Sequence, residues 1–191
     1  MAVVALVLCA LLTACGPMGS GKIVSEAREI GAFESIEVSG GIDLSLTVDE
    51  TADSSVTVIY DDNLLDRIVT EIEGTTLVIR SRGSITILGE GRRVEVTTPV
   101  LVELSASGGC DVDGGGALKS LSLDASGGSD VDFSDLVVGS MIISASGGSD
   151  ARVSVTDEIA GDVSGGSDVT ILGDPANRRL DVSGGADVSN E

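Results

Sequence analysis

Apolar and polar positions alternate along most of this chain with the two-residue period of half-buried strands. Leu121, Leu123 and Ala125 share one parity, and Ser129 and Val131 continue it. Leu104, Ala106, Cys110 and Val112 repeat the arrangement, as do Ile36, Val38, Ile42, Leu44 and Leu46. The pattern predicts strands over 33–48, 55–60, 69–72, 76–80, 84–88 and 92–97, separated by turn signals such as Asp61-Asp62-Asn63, Glu73-Gly74 and Gly89-Glu90-Gly91. Leu64 to Ile68 has the length of a single helical turn, and no longer helix-period segment follows the first 14 residues.

Superimposed on the alternation is a repeat. Ser-Gly-Gly-x-Asp begins at Ser39, Ser107, Ser126, Ser146, Ser164 and Ser183, so the last five copies are spaced by 19, 20, 18 and 19 residues. A period near 19 is too short for two strands and a helix. It suits one turn of a coil made of short strands and tight corners, with successive turns about 4.8 Å apart. The expected fold is therefore all-β: a parallel β-solenoid with about 19 residues per coil in the C-terminal half. An antiparallel β-sandwich accounts for the alternation but not for the fixed register. The first copy stands far from the second, so the N-terminal half is expected to be organised differently or to have diverged.

Composition narrows the core and the chemistry. The chain has no Trp, one Tyr and two Phe, so Val, Ile, Leu and Ala must fill the interior, and 26 of 191 residues are Gly. Acidic residues number 31 against 11 basic, for a net charge of −20, which disfavours a nucleic-acid partner. There is no His, which removes Ser-His-Asp and Cys-His catalysis. No catalytic residue and no cofactor is expected.

The N-terminus reads as an export signal. Residues 2–14 are apolar or small and uncharged, too short a run to span a bilayer. Leu12-Thr13-Ala14-Cys15 resembles a bacterial lipobox, which implies cleavage before Cys15 and lipid attachment to it. The expected organisation is a signal peptide over 1–14, a lipidated tether over 15–29 and a β-solenoid domain over 30–191. Gly16 after the Cys implies placement at the outer membrane, with the lipid anchor as the membrane partner. With Cys9 removed and Cys15 acylated, Cys110 is the remaining thiol, and its parity assigns it to packing.

An ordered set of motifs carries a family resemblance. Phe33-x-x-Ile36-x-Val38-x-Gly40 is followed by Asp62-Asn63-Leu64-Leu65, then by Gly74-x-x-Leu77-x-Ile79, and then by Val96-Thr-Thr-Pro99-x-Leu101-x-x-Leu104 leading into the repeats. Over residues 30–190 the chain resembles the bacterial head GIN domain, a family of autotransporter adhesin type. The resemblance implies a right-handed single-stranded β-helix, export as a lipoprotein, and adhesion to a surface protein or glycan. Where the family name has Asn after Gly-Ile, this chain has Asp43.

The repeated aspartates Asp111, Asp130, Asp150, Asp168 and Asp187, with Asp43 before them, are the one series that could carry chemistry. Stacked about 5 Å apart they would repel unless bridged by a divalent cation. Otherwise each would cap its own Gly-Gly turn. Paired carboxylates also raise a glycan-processing enzyme, against which stand the scarcity of aromatics and the single Lys (Lys119) of the repeat half. Arg178-Arg179, after Pro175, are expected in a solvated loop.

Overall fold

A computed structural model describes residues 16–87 and 89–191. Cys15 and the expected signal segment lie outside the described residues. The described chain is all-β, with fourteen strands joined in one hydrogen-bonded sheet. They are β1 (Ile23–Arg28), β2 (Ser35–Ser39), β3 (Leu44–Val48), β4 (Ser55–Asp61), β5 (Ile68–Glu73), β6 (Thr76–Ser81), β7 (Arg93–Thr98), β8 (Glu103–Ser107), β9 (Asp111–Ser126), β10 (Asp130–Ala145), β11 (Asp150–Val163), β12 (Asp168–Leu172), β13 (Asn177–Val182) and β14 (Asp187–Asn190). A 3₁₀ turn at Leu65–Arg67 replaces the expected helical turn. Within the expected strand at 84–88, the described residues make only one bridge, between Thr86 and Met18.

The long strands β9, β10 and β11 each contribute to two rows of the sheet. The first half of β9 pairs with β3 and its second half with β8. β10 then stacks on β9, and β11 on β10, in parallel, with the register shifting at irregularities between 132 and 140. One row is thus β1-β4-β7-β3-β9-β10-β11-β12-β14, and the other runs β5-β6-β2-β8 and on through the same long strands to β13. The inward residues of both rows form one cluster of Val, Ile, Leu and Ala, joined by the buried Phe33, Tyr60 and Phe133. The parity read from the sequence holds through the corners: Ala125, Ser129 and Val131 are all buried, as are Ala106, Cys110 and Val112.

The isolated first repeat finds its place here. Ser39 pairs with Ser107 and Leu44 with Val112, so the first corner stacks directly on the second although residues 49–102 lie between them in sequence. That excursion supplies another layer, β6 and β7, on the far side of β2 and β3. It also supplies antiparallel strands that cover this end, β5 on β6 and β4 on β7, and β1 from the N-terminal side adds to β4.

β1 lies within the segment expected as a lipidated tether over 15–29. Six of its residues pair with β4, and the chain before it is held too. Gly19 donates to Thr86 O at 2.9 Å, Thr86 donates to Pro17 O at 3.0 Å, and Ser20 donates through its amide to Asn63 Oδ1 at 2.9 Å. Arg178 and Arg179 are not in a loop but within β13, paired with Ile159 and Ala160.

The corners show why the repeat needs its glycines. Gly127 has a φ of +66°, which side-chain-bearing residues rarely adopt, and a Cβ there would lie 3.0 Å from the amide of Gly108 in the layer below. The aspartates do not cap these turns. The interior serines do: Ser129 Oγ donates to Ser126 O at 3.0 Å and accepts from the Cys110 amide at 3.2 Å, Ser149 Oγ donates to Ser146 O at 2.9 Å, and Ser167 Oγ accepts from the Ser149 amide at 3.2 Å. The buried Ser129 hydroxyl is tolerated because its donor and acceptor capacities are both used. Cys110 occupies the same column, with its Sγ on Ser107 O, and burial pushes its thiol pKa up, which makes it a packing residue and a poor nucleophile.

Candidate functional site

The five aspartates fall into one outward column. Asp111 pairs with Asp130, Asp130 with Asp150, Asp150 with Asp168, and Asp168 with Asp187. Adjacent parallel strands set these positions about 4.8 Å apart. Asp43 precedes Leu44, which pairs with Val112, so it extends the column by one layer. Two residues further along each strand lies a second outward column of Ser45, Asp113, Asp132, Arg152, Thr170 and Ser189. Ser45 donates to Asp113 Oδ2 at 2.8 Å across the layers.

A groove of about 540 Å³ follows these columns, lined by Asp43, Asp111, Asp130, Asp150 and Asp168 with Arg92, Arg93 and Arg152. Asp187 is in register with the series but does not line the groove. Among the described residues, no group of three or more His, Cys, Asp or Glu side chains is placed to hold a metal ion.

The carboxylates feel one another. Partial burial, and then the charges of Asp111 and Asp150, push the Asp130 pKa up. Burial, and then Asp111 and Asp113, do the same for Asp43. Asp132 goes the other way because it accepts hydrogen bonds from the Ser134 side chain and amide. A carboxyl whose pKa is raised by folding favours the folded chain when protonated. Asp130 and Asp43 therefore withhold stability at neutral pH and return it as pH falls through the carboxylate range. Asp130→Asn should raise the melting midpoint at pH 7 by about one to three degrees, and the gain should vanish near pH 3. A lower midpoint in the variant at pH 7 would mean that the carboxylate is held by a favourable contact.

One feature of this wall is not legible in the alternation. Asp61, at the end of β4, and Arg92, just before β7, form a buried ion pair, with Arg92 Nε on Oδ2 at 2.8 Å and Nη2 on Oδ1 at 3.1 Å. The Gly21 amide also donates to Asp61 Oδ1 at 2.6 Å. Hydrogen bonding from Arg92 holds the Asp61 pKa below the usual carboxylate range despite burial. The pair therefore joins three things: the covering strand β4, the groove rim and the N-terminal segment. The nearest sequence signal is the cluster Asp61-Asp62-Asn63, whose turn-forming residues hide its role as an anchor.

All three arginines at the groove have carboxylate partners. Arg92 holds Asp61, Arg93 holds Glu95 at 2.6 Å, and Arg152 holds Glu191 at 2.5 Å. A protonated guanidinium is a donor only, so these residues supply hydrogen bonds and charge. The groove thus offers a row of acceptors with a few donors at its rim.

The architecture is shared with solved proteins. The chain is similar to a putative adhesin of Parabacteroides merdae, with 18% identity over 93% of this chain and 100% of that one and a TM-score of 0.57. It is also similar to a putative adhesin of Bacteroides fragilis, with 15% identity over 92% and 100% and a TM-score of 0.53. These identities speak to the fold alone. No curated protein gives a match. A family profile, described as "Putative auto-transporter adhesin, head GIN domain", matches residues 32–119 and 107–175. Most of the chain is covered by that match, and the chain belongs to the head GIN domain family.

Proposed function

We propose that this chain is a lipid-anchored envelope protein that displays a right-handed single-stranded parallel β-helix and binds a glycan along its aspartate-lined wall. Family membership supports the adhesin class. The observation that carries the glycan reading is the column of exposed carboxylates repeated once per layer beside the arginines of the rim. Sugar hydroxyls are donors, and a carboxylate accepts through two oxygens, so a row of carboxylates at strand spacing can take successive hydroxyls of an extended polysaccharide. A partner protein would need large apolar anchors for affinity, and this wall presents none. Binding without chemistry is the better reading, since each rim arginine is engaged by a carboxylate.

Lipidation at Cys15 would hold the protein at the outer membrane, and Cys15→Ala should move the full-length chain from the membrane to the soluble fraction of cell lysates. The binding reading is tested with purified chain on an array of bacterial and host polysaccharides. We expect the triple variant Asp111→Asn, Asp130→Asn and Asp150→Asn to bind at least tenfold more weakly while keeping its circular dichroism spectrum. Equal binding by the variant would overturn the assignment of this wall. Repeating the assay with a calcium chelator separates direct contact from cation-bridged contact.

A further inference from the structure

The two ends of the stacked layers are finished differently. At one end, the antiparallel strands β1, β4 and β5 cover the edge. At the other, β13 and β14 each pair on one side only among the described residues, β13 with β11 and β14 with β12. The Ser183 amide donates to Val163 O, towards the body of the sheet, at 3.0 Å. By the pleat, the N–H and C=O groups of Leu180 and Val182 point the opposite way, out of the open edge. The inward side chains here are also poorly covered: Val182 is 47% exposed, and Leu180, Ala186 and Val188 are only partly buried. An edge of this kind is a template for another strand.

We infer that the open β13–β14 edge pairs with the same edge of a second copy of this chain, forming a two-fold dimer. A head-to-tail array would join this edge to β1 or β5, which also pair on one side only among the described residues, but the charge pattern of β13 matches its own copy. Pairing the edge with its own counterpart is an isologous contact, which closes on itself. The charge pattern of β13 is self-complementary in this arrangement. Arg179 and Asp181 flank Leu180 and share the outward parity, since Ala160 pairs with Arg179 and Asp162 with Asp181. Antiparallel pairing centred on Leu180 sets Arg179 of each copy opposite Asp181 of the other, in the closer, non-hydrogen-bonded positions. Leu180 then meets Leu180 over the core. Among the described residues of one copy, Arg179 has only a long contact with Glu158 at 3.7 Å, which leaves room for a shorter pair. The net charge of −20 opposes approach at long range, but salt confines that repulsion to about 8 Å, and the local pattern decides the contact.

Sedimentation of the detergent-solubilised full chain in physiological salt tests this. We expect twice the mass of one chain at micromolar concentration. Asp181→Arg sets like charges opposite each other twice and should weaken the dimer at least tenfold. The double variant Arg179→Asp with Asp181→Arg restores the complement and should recover it. Amide exchange at Leu180 and Val182 should slow as the dimer forms. A monomer at up to about 100 μM, or a dimer indifferent to the charge swaps, would overturn the inference. Circular dichroism of each variant separates lost pairing from lost folding.

Discussion

Gly161→Ala is expected to destabilise the protein by about 4 kcal/mol or more, among the largest effects of any single methyl group added to this chain. Gly161 lies inside β11, paired with Ile143 below and Leu180 above. Its φ is +140°, and a Cβ built there would lie 1.8 Å from Ile143 O, a backbone atom of the adjoining layer. Relief requires parting two layers whose hydrogen bonds depend on that spacing. The neighbouring contacts repeat every layer, so the damage should be local: amide exchange should accelerate from about residue 156 onwards while the layers near β2 and β8 stay protected. Gly166→Ala is the control. Gly166 has open space around it and an ordinary φ, and its substitution should change stability by less than about 0.5 kcal/mol. If both variants melt alike, the layer-spacing account is wrong.

Arg92→Ala is the second large effect, with a fall in melting midpoint on the order of 10 °C at pH 7. The substitution leaves Asp61 fully buried with only the Gly21 amide as a named donor. A buried carboxylate stripped of its cation is costly, whereas replacing both partners by apolar residues is often tolerated. Asp61→Leu with Arg92→Leu should therefore recover much of the loss. The pH dependence carries a sign of its own. Folding lowers the Asp61 pKa, so its contribution is present above the ordinary carboxylate pKa and fades as pH falls through the depressed one. Wild type should lose this part of its stability in acid, and the gap to Arg92→Ala should narrow there. This is the opposite of the behaviour expected of Asp130. Because Asp61 also holds Gly21, the variant should free residues 16–22 to proteolysis before the rest of the chain.

How much of this was written in the sequence depends on whether the information was periodic. Strand parity, the small column at Cys110, Ser129 and Ser149, and the stacking of the five aspartates all follow from a motif that returns in register, because a parallel ladder places equal positions side by side. The family could be read from ordered motifs for the same reason. What could not be read is what happens once. The excursion 49–102 adds a layer beneath the first repeat, and nothing in its local alternation shows on which side of β2 it will land. The Asp61–Arg92 pair joins residues 31 apart that each look like ordinary turn chemistry. The role of the repeat's polar residues was partly inverted: the turn is held by the inward serine, while the aspartate faces solvent. Alternation assigns a residue to a face, but it does not say which face will need a hydrogen bond. Arg178 and Arg179 read as loop for a related reason, since Pro175 and two charges resemble a break, yet backbone pairing with β11 carries them as a strand.

The same layering has a mechanical meaning. Strands from β10 onwards are held by neighbours one repeat away, so tension between the two ends of the described chain loads one layer at a time rather than the whole core. Each layer that peels from the β14 end frees about 19 residues, or roughly 65 Å of extended chain. The antiparallel strands over the opposite end and the Asp61 anchor hold their layers as a block. A protein built this way would lengthen in steps and absorb work with each one, its covered end holding while the other gives.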